Sequence, residues 1–124
     1  MAVLLATSDL GTAGRVTAVG KRLGFDVKTA ERTDEVMACL DAERWQMLLL
    51  DFDSKTIDAA AIVERCHSRA ACGPLVGFGR LVQVAYLETA AIRGCGKVLS
   101  LDEFFARLES LFWPGLALFA DEPA

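Results

Sequence analysis

Apolar and polar positions alternate between two regimes along this chain. Ala2 to Ala6 is a short unbroken apolar run, which suits a strand covered on both faces better than one with a wet side. Val16, Val19 and Leu23 then recur at helical spacing, with Gly24 placed where a helix commonly ends in a left-handed residue. Gly14 and Gly20 weaken that helix by about 1 kcal/mol each relative to alanine. Phe25, Val27 and Thr29 alternate with Asp26 and Lys28, the two-residue period of an edge or half-exposed strand. Thr33 is placed to cap a second helix that carries Asp34 and Glu35 in its first turn and turns Val36, Cys39 and Leu40 inward.

Met47 to Leu50 is the third and most apolar strand, and it ends on Asp51. Asp58 opens an alanine-rich helix with Ile62 and Cys66 on one face, ending near Gly73-Pro74. Leu75 to Gly79 reads as a fourth strand whose glycines allow close backbone approach. Val82 to Arg93 reads as a helix closed by Gly94, and Lys97 to Leu99 as a short fifth strand. Ser100-Leu-Asp-Glu103 fits a capping box, after which Phe104, Leu108, Leu111 and Phe112 form the stripe of one last helix, stopped by Trp113-Pro114-Gly115. About five strand-then-helix units with short connections predict an α/β fold, a single doubly wound parallel sheet with helices on both faces. Functional groups in such a fold gather at the C-terminal ends of the strands.

The chain has 124 residues, enough for one domain. Its 53% hydrophobic content argues for a well-buried sheet. Thirteen basic residues against seventeen acidic ones give a formal charge of -4, and the basic ones are scattered, so no nucleic-acid partner is expected. Met1 to Ala6 is too short for a signal-peptide core, and the apolar run Leu111 to Ala120 is broken by Pro114-Gly115, well below the ~18–20 residues that span a bilayer. The expectation is a cytoplasmic protein without a membrane partner. Cys39, Cys66, Cys72 and Cys95 contain no Cys-x-x-Cys pair and read as reduced, buried thiols. Cys66, His67 and Cys72 match no zinc spacing.

In order and spacing the chain resembles the receiver domain of response regulators. The resemblance rests on Gly24-Phe-Asp-Val-Lys-Thr-Ala-Glu31, on Leu48-Leu-Leu-Asp51 and on Ser100-Leu-Asp-Glu-Phe-Phe-Ala-Arg-Leu108. It implies a flavodoxin-like fold with strand order 2-1-3-4-5, a receiver-like domain over residues 1–113 and an apolar tail over 114–124. It also implies a chemistry: an acidic pair holding Mg²⁺, an aspartate accepting phosphate, a hydroxyl after the fourth strand and a lysine after the fifth.

Asp51 falls on the phosphoacceptor position. The acidic pair falls on Thr7 and Ser8, or, with a shift of one residue, its second member falls on Asp9. The hydroxyl position falls on Gly79. Either Ser100 replaces the lysine, or the segment that carries it is deleted and Val98-Leu99 runs straight into the helix cap; Lys97 lies too early. Asp51, Asp53 and Asp58 are close in sequence, but a dedicated metal site wants more ligands.

The expectation is therefore a non-catalytic pseudo-receiver that needs no cofactor and acts by touching other proteins, a homodimer being one such arrangement. In the resembled family, the fourth helix, fifth strand and fifth helix often carry contacts. Tyr86, Phe104, Phe105 and Trp113 fall there, and Phe119 lies in the apolar tail. One alternative keeps phosphorylation on Asp51, with weak Mg²⁺ binding at Asp9. Another is a small-molecule-binding flavodoxin-like domain using Gly11 to Gly14 and Gly77 to Gly79.

Overall fold

The structure is a computed structural model, described over residues 2–69, 74–80 and 97–112. In chain order these form β1 (Ala2–Ala6), α1 (Leu10–Arg22), β2 (Asp26–Ala30), α2 (Thr33–Ala42), β3 (Met47–Asp51), α3 (Ala59–Arg69), β4 (Leu75–Gly79), β5 (Lys97–Ser100), α4 (Leu101–Ala106) and α5 (Leu108–Phe112). The five strands make one sheet in the order β2-β1-β3-β4-β5, and every neighbouring pair is parallel. The predicted helix over Val82 to Arg93 and the predicted tail lie outside the described residues.

Successive side chains on a strand point to opposite faces, and the two cores follow that alternation. Val3, Leu5, Met47, Leu49, Val76 and Phe78 pack with Val16 of α1 and with Phe104, Leu108, Leu111 and Phe112 of α4 and α5. Leu4, Ala6, Leu48, Leu50 and Leu75 pack on the other face with Val36 and Leu40 of α2 and with Ile62 and Val63 of α3. All five residues of β3 are buried, whereas the edge strand β2 alternates between exposed and half-buried positions.

Some local details differ from the sequence reading. Arg32, not Thr33, stands at the N-cap of α2 and makes no side-chain cap. The Thr33 hydroxyl faces the loop before α3 instead, accepting from the Asp58 N–H at 2.8 Å and donating to the Thr56 carbonyl at 3.3 Å. Asp58 in turn accepts from the Ala61 N–H at 3.1 Å and so caps α3.

Gly24 takes φ 87° and ends α1 with two bonds, Gly24 N–H to the Lys21 carbonyl and Phe25 N–H to the Gly20 carbonyl, a Schellman closure. Gly20 has a packing role as well: a Cβ there would sit 2.5 Å from Val27 Cγ2, so its absence lets α1 approach β2. The single predicted last helix is interrupted at Arg107 into α4 and α5, although the Arg107 N–H to Glu103 and Leu111 N–H to Arg107 bonds keep the two in line.

Candidate functional site

The site forms where β1 and β3 end side by side. Ala6 pairs with Leu50, and the Thr7 N–H continues the ladder by donating to the Ala30 carbonyl at 3.1 Å. This holds Thr7 rigidly at the strand end, 1% exposed, with its hydroxyl aimed at the next strand. Thr7 Oγ1 donates to Asp51 Oδ2 at 2.6 Å and accepts the Asp9 N–H at 3.1 Å, which turns the chain into α1.

Three residues beyond Asp51 the loop returns to it. Ser54 Oγ donates to Asp51 Oδ2 at 2.9 Å and accepts from both the N–H and the hydroxyl of Ser8, at 2.9 and 3.1 Å. The Asp53 N–H donates to Asp51 Oδ1 at 2.9 Å. Thr7, Asp51 and Ser54 are all buried, so a carboxylate inside the protein accepts on both oxygens from donors of its own chain. The Thr7 and Ser54 hydroxyls each spend their proton on Asp51 and accept from the loop between β1 and α1, so neither proton points outward.

Asp9 does not join this cluster. Its side chain caps α1, accepting the Thr12 N–H at 3.2 Å and the Thr12 hydroxyl at 2.6 Å. The Thr12 hydroxyl, then the Thr12 N–H, holds the Asp9 carboxyl below the usual carboxylate range, with smaller help from the Gly11 N–H and the charge of Arg80.

Asp53 fills the neighbouring space. Its Oδ2 accepts the Arg80 N–H at 2.9 Å, and its buried Oδ1 would lie 3.2 Å from a Cβ at position 79. Phe52 lies over Gly77, where a Cβ would be only 2.0 Å from its ring. Backbone approach at these two glycines, expected from sequence as room for a ligand, is taken up by the chain's own side chains. Gly11 and Gly14 lie within α1 and do not form a loop.

At the end of β5, Ser100 pairs with Gly79 and directly caps α4. Its Oγ accepts the Glu103 N–H, and Glu103 Oε1 accepts the Ser100 N–H, both near 3.1–3.2 Å. Strand end and helix cap are therefore one residue, with no intervening turn. Lys97 is at the far end of the strand, paired with Val76.

Mg²⁺ in this type of fold demands carboxylate oxygens free to coordinate. Here both Asp51 oxygens already accept hydrogen bonds, Thr7 and Ser54 present protons to it, and Asp58 and Asp9 are used as caps. Among the described residues, no group of three or more His, Cys, Asp and Glu side chains is placed to hold a metal.

Among the residues expected to form a contact surface, Phe104 is a correction. It is 0% exposed, stacked on Phe78 with centroids 3.9 Å apart and planes 10° apart. Its position in the apolar stripe made it core. Phe105 is half-buried, with the Arg15 guanidinium 3.9 Å above its ring. Tyr86, Trp113 and Phe119 lie outside the described residues. Sequence reasoning missed Ser54 and Arg80 and weighed Asp53 only beside Asp51 and Asp58 as a cation ligand; the one available signal for Ser54 was that it follows the strand-end aspartate by three residues.

No family model and no curated protein matches the chain. Solved structures do. The chain is similar to the chemotaxis response regulator CheY4 of Vibrio cholerae, at 14% identity and TM-score 0.77 over 90% of this chain and 95% of that one. It is equally close in shape to the receiver domain of NtrX from Brucella abortus, at 16% identity and TM-score 0.77 over 93% and 98% of the two chains. A response regulator from Burkholderia pseudomallei, solved with a phosphorylated aspartic acid, calcium ion and citrate, matches at 15% identity and TM-score 0.68 over 99% of this chain and 75% of its own. With its parallel sheet in the order 2-1-3-4-5, the chain has the flavodoxin-like fold of response regulator receiver domains.

Proposed function

We propose that this chain is a pseudo-receiver, a non-catalytic module that serves signalling or regulation through protein contacts and without phosphorylation. One observation carries the reading: Asp51, at the phosphoacceptor position, is buried and already accepts hydrogen bonds from Thr7, Ser54 and Asp53. An in-line attack on a phosphoryl group needs a free carboxylate oxygen and positive charge to offset the developing anion. Here each Asp51 oxygen already accepts at least one hydrogen bond, Ser100 stands at the β5 end, and a second carboxylate, Asp53, lies beside Gly79. The Asp53 charge opposes an incoming anion, the hydrogen bonds on Asp51 compete with it, and the neutral Ser100 supplies no positive charge to offset it.

Incubation with Mg²⁺ and acetyl phosphate tests this by intact mass. The expected result is an unchanged mass; stoichiometric labelling that vanishes in Asp51→Asn would overturn the reading.

One observation favours a second reading, slow phosphorylation of Asp51. Arg80 follows β4 and its charge acts on Asp9, so a cation stands near the strand ends. That reading requires Arg80→Ala to abolish whatever label Asp51 takes up.

A further inference from the structure

The sheet ends on one side at β2, whose outer edge meets no other strand among the described residues. In a parallel ladder, alternate residues of a strand turn both backbone groups to the same neighbour. The Ala30 carbonyl accepts the Thr7 N–H, so Ala30, Lys28 and Asp26 bond to β1, while Val27 and Thr29 turn their N–H and C=O groups outward. Local bonds close this open stretch at both ends: the Phe25 N–H donates to the Gly20 carbonyl at 2.8 Å, and the Glu31 carbonyl accepts the Thr56 hydroxyl at 2.6 Å. Among the described residues nothing pairs with the outward groups of Val27 and Thr29. An unpaired edge of this kind is a template for another strand.

The side chains select the strand that fits. Asp26 and Lys28 are both exposed and, two residues apart, lie on the same face of the sheet. Proteins commonly guard an edge with lysines, which repel a like-charged copy. Here the two charges are opposite, so the edge is complementary to itself. Antiparallel pairing about a two-fold axis at Val27 sets each Asp26 opposite Lys28 of the partner subunit, giving two cross-strand ion pairs around two reciprocal bonds between the Val27 backbones. An axis at Lys28 would set that lysine against itself. An axis at Thr29 would set Lys28 opposite Ala30 and lose its ion pair. Charge therefore favours the register centred on Val27.

We propose that a second copy of this chain docks antiparallel on the β2 edge, joining two five-stranded sheets into one. Two-fold symmetry closes the contact at a dimer. It names the partner of a contact module and so rests on that reading for its purpose, but it does not depend on the state of Asp51. An interface built on one short strand pair is small, so the dimer is weak and salt-sensitive.

The test uses the full chain. Sedimentation equilibrium from about 10 µM to about 1 mM is read at low and at high salt, alongside the amide NMR spectrum of the same samples. The expected result is a monomer and dimer in equilibrium, weakened by salt, with saturable shifts centred on Val27 and Thr29. Asp26→Lys and Lys28→Asp each replace the ion pairs by like charges on a side chain that is already exposed, so the fold stands while self-association falls by about tenfold or more. An equimolar mixture of the two variants restores opposite charges across the edge, and with them the dimer. A monomer throughout the range would overturn the proposal, as would a dimer that neither variant weakens or a mixture that stays monomeric. The acetyl phosphate experiment decides the wider reading separately, whichever of these results is found.

Discussion

Thr7 Oγ1 donates to Asp51 Oδ2 at 2.6 Å, joining two strand ends that lie 44 residues apart in the chain. The bond is buried and ends on a carboxylate, the kind of hydrogen bond whose loss is most costly. Thr7→Val keeps the shape and removes the donor. The expected destabilisation is about 1.5–3 kcal/mol in urea unfolding, with an unchanged m-value. Ser54→Ala removes the second donor to the same oxygen and should cost about 1–3 kcal/mol. The two losses should not add, because both act on one carboxylate.

Phe52 and Gly77 make a second close pair, with no room for a methyl group on the glycine. Gly77→Ala should therefore destabilise by about 1–3 kcal/mol, as overpacking does. Phe52→Leu placed in the same chain should recover part of that loss. A double-mutant cycle by chemical denaturation reads the coupling directly, with about 1 kcal/mol expected.

Ser100 links the site to the fold. Ser100→Ala breaks the capping box at the start of α4 and should cost about 1 kcal/mol. Ser100→Lys should cost a similar amount and still leave Asp51 unlabelled by acetyl phosphate, since Thr7 and Ser54 continue to occupy it. Thermal melts and intact mass on the same samples check both statements.

The Asp9 carboxyl is held below its usual range by Thr12, so its contribution to stability has a fixed sign. A depressed carboxyl favours the folded state above its unfolded pKa of about 3.9, and that contribution is lost as pH falls through the lower folded value. Thr12→Val removes the larger of the two hydrogen bonds. The Asp9 pKa followed by carboxyl-carbon NMR should rise toward the ordinary value in the variant, and the acid limb of its stability curve should flatten.

The strands were legible because their reasons are local. Ala2 to Ala6 and Met47 to Leu50 are apolar throughout since both faces of the central strands are covered, and the alternation of Asp26 to Thr29 marks the edge strand. The capping box at Ser100 was equally local. Asp51 was found as a strand-end carboxylate, but what it touches was not. Ser54 reaches it from three residues on, the one local signal, whereas Thr7 comes from the end of β1, and no spacing in the chain announces a contact that only the pairing of β1 with β3 creates.

The same limit explains Thr33. A threonine before acidic residues looks like a cap, yet its hydroxyl is engaged by Asp58 and Thr56 from the loop before α3. The glycines were read for what they permit, with room imagined above them. At Gly77 and Gly79 Phe52 and Asp53 occupy that room, and their approach is a property of the packed fold.

The most direct measurement of the central claim is the amide NMR spectrum of the full chain, recorded before and after saturating Mg²⁺ with beryllofluoride, an acyl-phosphate mimic. If the hydrogen bonds of Thr7, Ser54 and Asp53 hold Asp51 closed, the resonances of residues 7–9, 51–54 and 79–80 stay where they are. Saturable shifts at those residues, spreading to α4 and α5, would contradict the account.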